Sequence, residues 1–163
     1  MNVTQNIRNF PKPLKLLIGT FLVVLSIGFF TGIQFVDNST NNTPQGVQEN
    51  YLGNENDMDT EVMKFKKTEK EMLNIIHAHI LSMSLIFFVL GGLVFLTEIN
   101  SKVKKFLMME PMLSVLFTFG GIYFMWQGIF WMKYVVMVSG MLMTFSFLAS
   151  VVLVFWGLMK KPE

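Results

Sequence analysis

The chain has 163 residues, of which 52% are hydrophobic and 15% are charged, and its mean hydropathy is +0.50. A soluble domain carries about 25% charged residues, so this composition indicates one membrane domain; the net charge of +2, with no basic cluster, excludes nucleic acid as a partner. Because the chain has no cysteine, disulfides, thiolate nucleophiles, iron–sulfur clusters and covalently attached c-type haem are excluded.

The first apolar segment covers residues 16–36 and carries no formal charge. About 20 such residues are enough to cross a hydrocarbon core about 30 Å thick. We interpret the segment as an uncleaved membrane helix with Lys15 at its cytoplasmic end. It is longer than the apolar region of a signal peptide, and no Ala-x-Ala-like cleavage site follows it.

Residues 37–67 change character and are rich in Asn, Asp, Glu, Gly and Pro. We expect a polar extracytoplasmic loop or small cap, whose length is typical of functional or partner-facing connections. Asp57, Asp59 and Glu61 lack the spacing, the glycine and the terminal glutamate of a calcium-binding EF-hand loop. They therefore indicate a solvated acidic loop.

Three further apolar segments follow, and we predict spans at about residues 75–97, 111–131 and 135–158. Thr68 and Glu71 fit a capping box, in which the Thr68 hydroxyl accepts the Glu71 backbone N–H and the Glu71 carboxylate accepts the Thr68 backbone N–H. The second helix therefore starts before the membrane. Pro111 suits the first position of helix three, and residues 132–134 would form a tight hairpin. The predicted fold is an all-α, four-helix membrane bundle.

Positive charge predicts the orientation of this bundle, because short cytoplasmic flanks carry more Lys and Arg. With both termini in the cytoplasm, eight basic residues lie inside and five outside. The inner set is Arg8, Lys12, Lys15, Lys102, Lys104, Lys105, Lys160 and Lys161. We therefore predict that the N- and C-termini are both inside. Separately, the Asn- and Lys-rich, cysteine-free composition favours a bacterial cytoplasmic (inner) membrane.

Small and polar residues mark the faces that we expect to meet, because helices in lipid associate through close packing and hydrogen bonds. The stripes are Ser114, Thr118, Gly121, Met125, Gly128 and Met132 on helix three, Ser139, Met143, Ser146, Ser150 and Gly157 on helix four, and His77, Ser84 and Gly91 on helix two. We predict that these three stripes face one another.

His77 and His79 are the only histidines, and both lie near the outer end of helix two. Two residues correspond to about 200° of rotation on a helix, so the two rings point to opposite sides. They cannot chelate one metal or bind both faces of one haem. Ionisable side chains within a membrane are by default functional candidates, and for His77 we keep cofactor ligation, a proton-relay or quinone-contact role and a plain hydrogen bond open.

A haem b iron needs one or two axial ligands, and within one chain the partner of a histidine would be methionine. Met125 and Met132 lie at about the depth of His77, which makes His77, His79, Met125 and Met132 the candidate ligands. The same donors would suit Cu(I). A homodimer could instead supply the second histidine, and the structural alternative is that methionine fills irregular gaps and no cofactor is bound.

Two local resemblances follow from these motifs. Thr43-Pro44-Gln45-Gly46 and Gly53-Asn54-Glu55, followed by a His-x-His helix, resemble small bacterial four-helix membrane proteins with a Thr-Pro-x-Gly…Gly-Asn-Glu outer loop. This resemblance implies a fold and no activity. His77-Ala78-His79 resembles the His-Ala-His helix of haem–copper oxidase and nitric oxide reductase catalytic subunits. That resemblance implies a haem or metal role for His77 and His79 alone.

Two functional hypotheses result. The first is a redox- or respiration-associated subunit that binds haem b, or copper, through histidine. The second is a non-catalytic accessory or assembly subunit that docks other membrane subunits, or a second copy of itself, through its outer loop. A transporter ranks third, because we expect no buried carboxylate that could form a substrate path. The chain also lacks the motifs of a hydrolase or transferase, so we do not expect it to be an enzyme on its own.

Overall fold

The structure is a computed structural model that describes residues 6–55 and 62–162. Asp57, Asp59 and Glu61 lie outside these residues. A short 3₁₀ turn, Ile7–Asn9, precedes five helices, which are α1 (Lys12–Thr40), α2 (Pro44–Leu52), α3 (Glu69–Phe95), α4 (Ser101–Trp126) and α5 (Met132–Met159). All but α2 are long and apolar enough to cross a membrane. The predicted all-α membrane fold is confirmed.

The bundle has two distinct ends. The cap end carries α2, residues 53–55 and 62–68, and the turn between α4 and α5. The terminal end carries Ile7–Asn9, the connection between α3 and α4, and the end of α5. Ile7 is fully buried there and donates its backbone N–H to the Leu96 carbonyl at 3.0 Å. Arg8 pairs with Glu98 at 3.1 Å, so the N-terminal turn is fastened across the end of the bundle.

Helix α4 lies between α3 and α5 and contacts both along its length. The hydroxyl groups of Thr118 on α4 and Ser139 on α5 form a hydrogen bond, with 2.8 Å between their oxygens. A Cβ at Gly121 would stand 2.9 Å from Val136 Cγ2, so only glycine lets α5 approach this closely. The buried stripe on α4 is Ser114, Thr118, Gly121 and Met125, and the five predicted positions on α5 are all buried. The helix-four stripe is confirmed as an interior face, and the helix-three stripe is confirmed from Ser114 to Met125. Its last two predicted positions are not part of α4, since Gly128 is exposed in the following turn and Met132 is half-buried at the start of α5.

Helix α1 is the peripheral member of the bundle. Its buried residues are Ile18, Leu22 and Thr40 only. Its main aromatic contact is the stack of Phe29 on Phe147 of α5, with ring centroids 3.8 Å apart. The core is therefore the three-helix unit α3–α5, and α1 leaves most of its apolar surface exposed to the lipid bilayer.

The prediction for the start of helix three is wrong. Asn100 accepts the Lys102 N–H at 2.9 Å and caps a helix that begins at Ser101, so Pro111 lies inside α4. Proline is tolerated within membrane helices because neighbouring groups satisfy the freed backbone. The predicted hairpin at 132–134 is also wrong, since those residues form the first turn of α5 and the chain reverses over 127–131. Gly128 makes this reversal with φ +107°.

The orientation predicted from positive charge can be measured because the chain contains no cysteine. Gln45→Cys at the cap end should react with a membrane-impermeant maleimide in intact spheroplasts. Lys161→Cys at the terminal end should react only after lysis. The reverse labelling pattern would show that both termini are outside, and labelling of both variants in intact spheroplasts would reject an even number of spans.

Candidate functional site

The cap begins with a helix start that explains the Thr-Pro-x-Gly string. Thr43 is the N-cap of α2, and its hydroxyl oxygen accepts the Gly46 N–H at 2.9 Å. Pro44 fills the first helical position, where no N–H is needed. A Cβ at Gly46 would stand 1.9 Å from the Thr40 carbonyl oxygen. Glycine is thus required for the first turn of α2 to pack on the end of α1.

The Gly-Asn-Glu string closes the loop that follows. Gly53 has φ +80°, and a Cβ there would stand 2.7 Å from the Lys66 backbone nitrogen. The Asn54 side chain accepts the Lys64 N–H at 2.6 Å and donates to the Val62 carbonyl at 3.0 Å. These contacts hold the two flanks of residues 56–61 together, so residues 41–55 and 62–68 form a folded cap.

Side chains and backbone fasten the cap to the bundle. Trp126 Nε1 donates to the Lys67 carbonyl at 2.9 Å, and the Lys67 N–H donates to the Tyr51 carbonyl at 3.1 Å. Lys133 Nζ donates to Gln48 Oε1 at 2.9 Å, which links α5 to α2.

Burial raises the pKa of the Tyr51 hydroxyl. A hydrogen bond to the side chain of the neighbouring Asn50 lowers this pKa by a smaller amount. Tyr51 is therefore neutral at physiological pH.

The cap also presents large apolar side chains outward. Val62, Met63 and Phe65 are 66%, 59% and 69% exposed. Lys64, between them, turns the other way and donates Nζ to the Ser39 carbonyl at 2.7 Å. The three side chains form an apolar cluster on the cap, here called the cap cluster (Val62, Met63 and Phe65). Such surface must meet either lipid or another protein.

The two histidines lie on the exterior of α3, near the cap end. His79 places Nδ1 2.7 Å from the Ile75 carbonyl oxygen. A carbonyl oxygen only accepts hydrogen bonds, so Nδ1 is the donor in this contact, and in the neutral imidazole the lone pair is then on Nε2. The ring also lies against Phe119 of α4, with centroids 4.8 Å apart. His77 is exposed as well, and the helix turns it about 200° away from His79.

The face predicted for the interior of helix two is wrong at His77. The buried residues of α3 are Met72, Phe87, Leu90, Gly91 and Val94. Of the predicted stripe only Gly91 is buried, where a Cβ would lie 3.8 Å from the Met108 Cα. Large apolar side chains occupy the interior face of α3. Phe87, for example, packs edge-on against Phe147 of α5, with 6.4 Å between the ring centroids. The side of α3 that carries His79 is thus the one that borders α4.

The methionine candidates lie elsewhere. Met125 is fully buried and Met132 is half-buried at the start of α5. Both histidines are exposed on α3, and the grouping of His77, His79, Met125 and Met132 around one ion stays a prediction. Within residues 6–55 and 62–162, no group of three or more His, Asp or Glu side chains could hold a metal ion.

Sequence reasoning missed a carboxylate. Glu110 lies on the buried face of α4 and is only 9% exposed. The Ser114 hydroxyl donates to Glu110 Oε1, while Oε2 is buried without a hydrogen-bond partner. The expectation that no carboxylate is buried is wrong, because α4 begins before Pro111. The signal was present, since the polar stripe extends back from Ser114 by four residues to Glu110.

A family model described as a transmembrane helical domain matches residues 41–163. The matched region contains α2 to α5 and omits α1, the helix that the structure leaves at the periphery. No curated protein and no solved structure matches the chain. The resemblance of His77-Ala78-His79 to a haem-bearing helix of oxidases stays a prediction.

Gly46→Ala tests the close approach of α2 to α1. The added methyl cannot fit beside the Thr40 carbonyl, so the cap should separate from the bundle and expose Lys64 and Lys66 to trypsin. We expect cleavage to be about tenfold faster or more, the change that about 1.4 kcal/mol of local opening produces. Gly28→Ala is the matched control, because nothing lies within 4 Å of its added methyl. Equal cleavage rates would contradict the contact.

Proposed function

The chain belongs to the Aq_1264_TM family of transmembrane helical domains, and we propose that it is a redox-associated subunit of a membrane complex that binds a b-type haem through His79. One observation carries this proposal. His79 donates its Nδ1–H to the Ile75 carbonyl 2.7 Å away, which leaves Nε2 free. Metal-binding histidines usually show this arrangement, because a hydrogen bond at one ring nitrogen fixes the tautomer and orientation of the other.

The surroundings of His79 fit an apolar cofactor. The ring is supported on one side by Phe119, and the neighbouring Ile76, Ile80 and Met83 pack partly against the core. These side chains would leave a macrocycle among apolar groups and lipid. When bound, haem supplies one-electron transfer, and the axial ligand together with the local polarity sets its potential. The contribution of this chain is one oriented imidazole and an apolar wall.

A second axial ligand would come from outside this chain. His79 lies on the exterior of the bundle, whereas Met125 is enclosed within it. A haem on His79 would thus sit between this chain and a neighbour, either another membrane subunit or a second copy that brings its own His79. Copper is the alternative occupant of the same imidazole.

Absorption spectra of the detergent-purified protein, oxidised and dithionite-reduced, test this proposal. We expect a Soret band with sharp reduced α and β bands. His79→Ala should remove these bands, because the oriented Nε2 is lost, while His77→Ala on the same helix should keep them. The matched pair separates ligation from any general effect of losing an imidazole.

A featureless spectrum, together with no stoichiometric copper by elemental analysis, would overturn the cofactor proposal. Spectra taken directly on membranes guard against loss of a weakly held haem during purification. Bands that persist in His79→Ala and vanish in His77→Ala would transfer the role to His77.

A second candidate function is a non-catalytic accessory or assembly subunit that docks through the cap. The observation in its favour is the cap cluster, held outward on a cap that hydrogen bonds tie to α1, α4 and α5. A rigid apolar surface loses little conformational entropy on binding, which favours association. The partner that fits is the extramembrane part of another membrane subunit.

Site-specific photocrosslinking tests the docking surface. A benzoylphenylalanine at Phe65 should give one discrete adduct with a single membrane protein, and the same probe at Gln45, which is exposed on α2, should not. Phe65→Ser in combination with Val62→Ser should reduce co-purification of that protein at least about tenfold, as loss of interface anchors does. Adducts with lipid alone would show that the cap cluster enters the bilayer interface instead.

A further inference from the structure

The basic side chains are concentrated at the terminal end of the bundle. Eight of the 13 Lys and Arg residues belong to this part of the sequence, but of the 11 acidic residues only Glu98, Glu110 and Glu163 do. Arg8 pairs with Glu98, Glu110 is enclosed within the bundle, and Glu163 lies outside the described residues. At the cap end, five basic residues face eight acidic ones. The terminal end therefore carries a surplus of positive charge.

Two lysines at the start of α4 contribute to this surplus without any partner in the chain. Within residues 6–55 and 62–162, the side chains of Lys102 and Lys105 are exposed and make no hydrogen bond or ion pair. Lys104, between them, donates its Nζ to the Phe95 carbonyl at 2.9 Å. The first turn of α4 contains no acidic residue. Like charges three residues apart on a helix repel each other, so an anion bound between Lys102 and Lys105 removes a cost.

The helix face below these two lysines is apolar and exposed. Phe106, Met109 and Leu113 follow Lys102 and Lys105 at spacings of three and four residues, which places all five side chains on one side of α4. The three apolar side chains are 47%, 61% and 49% exposed. The buried residues of α4 lie on the other side of the helix. One face of α4 thus combines positive charge at its end with apolar surface along its length.

The lysines lie at the level of the lipid headgroups. Helix α4 has 26 residues, or about 39 Å, so a hydrocarbon core about 30 Å thick and centred on it leaves about 4–5 Å beyond each surface. Lys102 lies in that part, and Lys105 reaches it by extending its long side chain. At the same end, Trp156 is 54% exposed and Lys160 Nζ lies 4.3 Å from its ring centroid. Tryptophan with a nearby cation is typical of the interface between membrane and water.

The two parts of this face favour one class of anion. A small inorganic anion would contact only the lysines. An anionic phospholipid contacts both parts, because its phosphate lies at headgroup level and its acyl chains extend along the helix. Each lysine close to an anionic membrane surface strengthens association about fivefold. Charge complementarity therefore favours a lipid with a net negative headgroup over a zwitterionic lipid.

We propose that Lys102 and Lys105 bind the headgroup phosphate of an anionic phospholipid, whose acyl chains lie along Phe106, Met109 and Leu113. Each ammonium group donates charge-assisted hydrogen bonds to the phosphate oxygens. This site lies on the exterior of α4 at the terminal end, whereas both histidines lie near the cap end. The proposal is therefore independent of any haem.

Photocrosslinking in vesicles of defined composition tests the site. Benzoylphenylalanine replaces Met109 in the full-length protein, and the vesicles contain equal parts of phosphatidylglycerol, which is anionic, and phosphatidylcholine, which is zwitterionic, with identical acyl chains. We expect mass spectrometry to show an excess of phosphatidylglycerol adducts of about tenfold or more, since two lysines act together.

The same probe at Phe88 is the matched control. Phe88 is 72% exposed on α3, seven residues before that helix ends at Phe95, and Met109 is eight residues after α4 begins at Ser101. The two positions are therefore at similar distances from the terminal end, about 10 Å and about 12 Å along the helix axes. We expect nearly equal yields of the two lipids at position 88.

Charge variants assign the selectivity to the two lysines. Lys102→Gln combined with Lys105→Gln should bring the ratio of the two lipid adducts at position 109 close to unity, because the phosphate loses both cations. Lys66→Gln combined with Lys70→Gln removes the same charge from exposed residues at the cap end and should leave the ratio unchanged. The comparison of positions 109 and 88 requires no lysine variant, so the test stands even if a variant fails to fold.

Four results would overturn the proposal. Three of them concern vesicles, namely equal yields of the two lipids at position 109, the same excess of phosphatidylglycerol at position 88, and an excess that survives Lys102→Gln with Lys105→Gln. The fourth is a single discrete protein adduct at position 109 in native membranes, which would assign this face of α4 to a partner subunit. None of these measurements depends on the haem spectrum, so the two proposals fail or stand separately.

Discussion

Close approach of α4 and α5 is the constraint on which the rest of the bundle depends. In lipid, helices gain nothing from hiding apolar surface and associate through packing and interhelical hydrogen bonds. Gly121 admits Val136 to a distance that no other residue would allow, and the Thr118–Ser139 bond fixes the register. Once that register is set, Phe147 is positioned to receive both Phe87 of α3 and Phe29 of α1. The outer helices are thus arranged around one tight pair.

The two ends of the bundle are closed by different chemistry. At the cap end, glycine and asparagine build a compact cap, and Trp126 and Lys133 fasten it by single hydrogen bonds. At the terminal end, Ile7 fills the space beside Gly157, where a Cβ would stand 2.8 Å from its Cγ2. Both closures use elements at the ends of the bundle, so the helices are held at their ends as well as along their lengths. The family match covers α2–α5, the same unit that α4 organises.

Hydropathy and composition predicted the four long apolar helices, the capping box at Thr68 and the polar faces of α4 and α5, because these depend on local sequence and on spacing along one helix. The short helix α2 lies within the segment that we expected to be a polar loop or small cap. The predicted start of α4 was wrong because Pro111 is a strong helix-start signal, and the cap at Asn100 that overrides it lies eleven residues earlier. The predicted interior face of α3 was wrong because large side chains, Phe87 against Phe147 of α5 and the buried Leu90, occupy it. Such complementarity belongs to two helices at once and is not visible in either alone.

The misplaced helix start and the missed carboxylate have one origin. A helix that begins at Pro111 puts Glu110 in cytoplasmic water, where a carboxylate needs no partner. A helix that begins at Ser101 carries the same residue into the interface with α5, where its Oε2 and Ser146 Oγ are both unpaired. Apolar side chains could have filled this part of the interface between α4 and α5, as they do elsewhere along α4. A buried polar group is a departure from local consistency, and here Glu110 shows it on the interior face of α4, whereas both imidazoles lie on the exterior of α3.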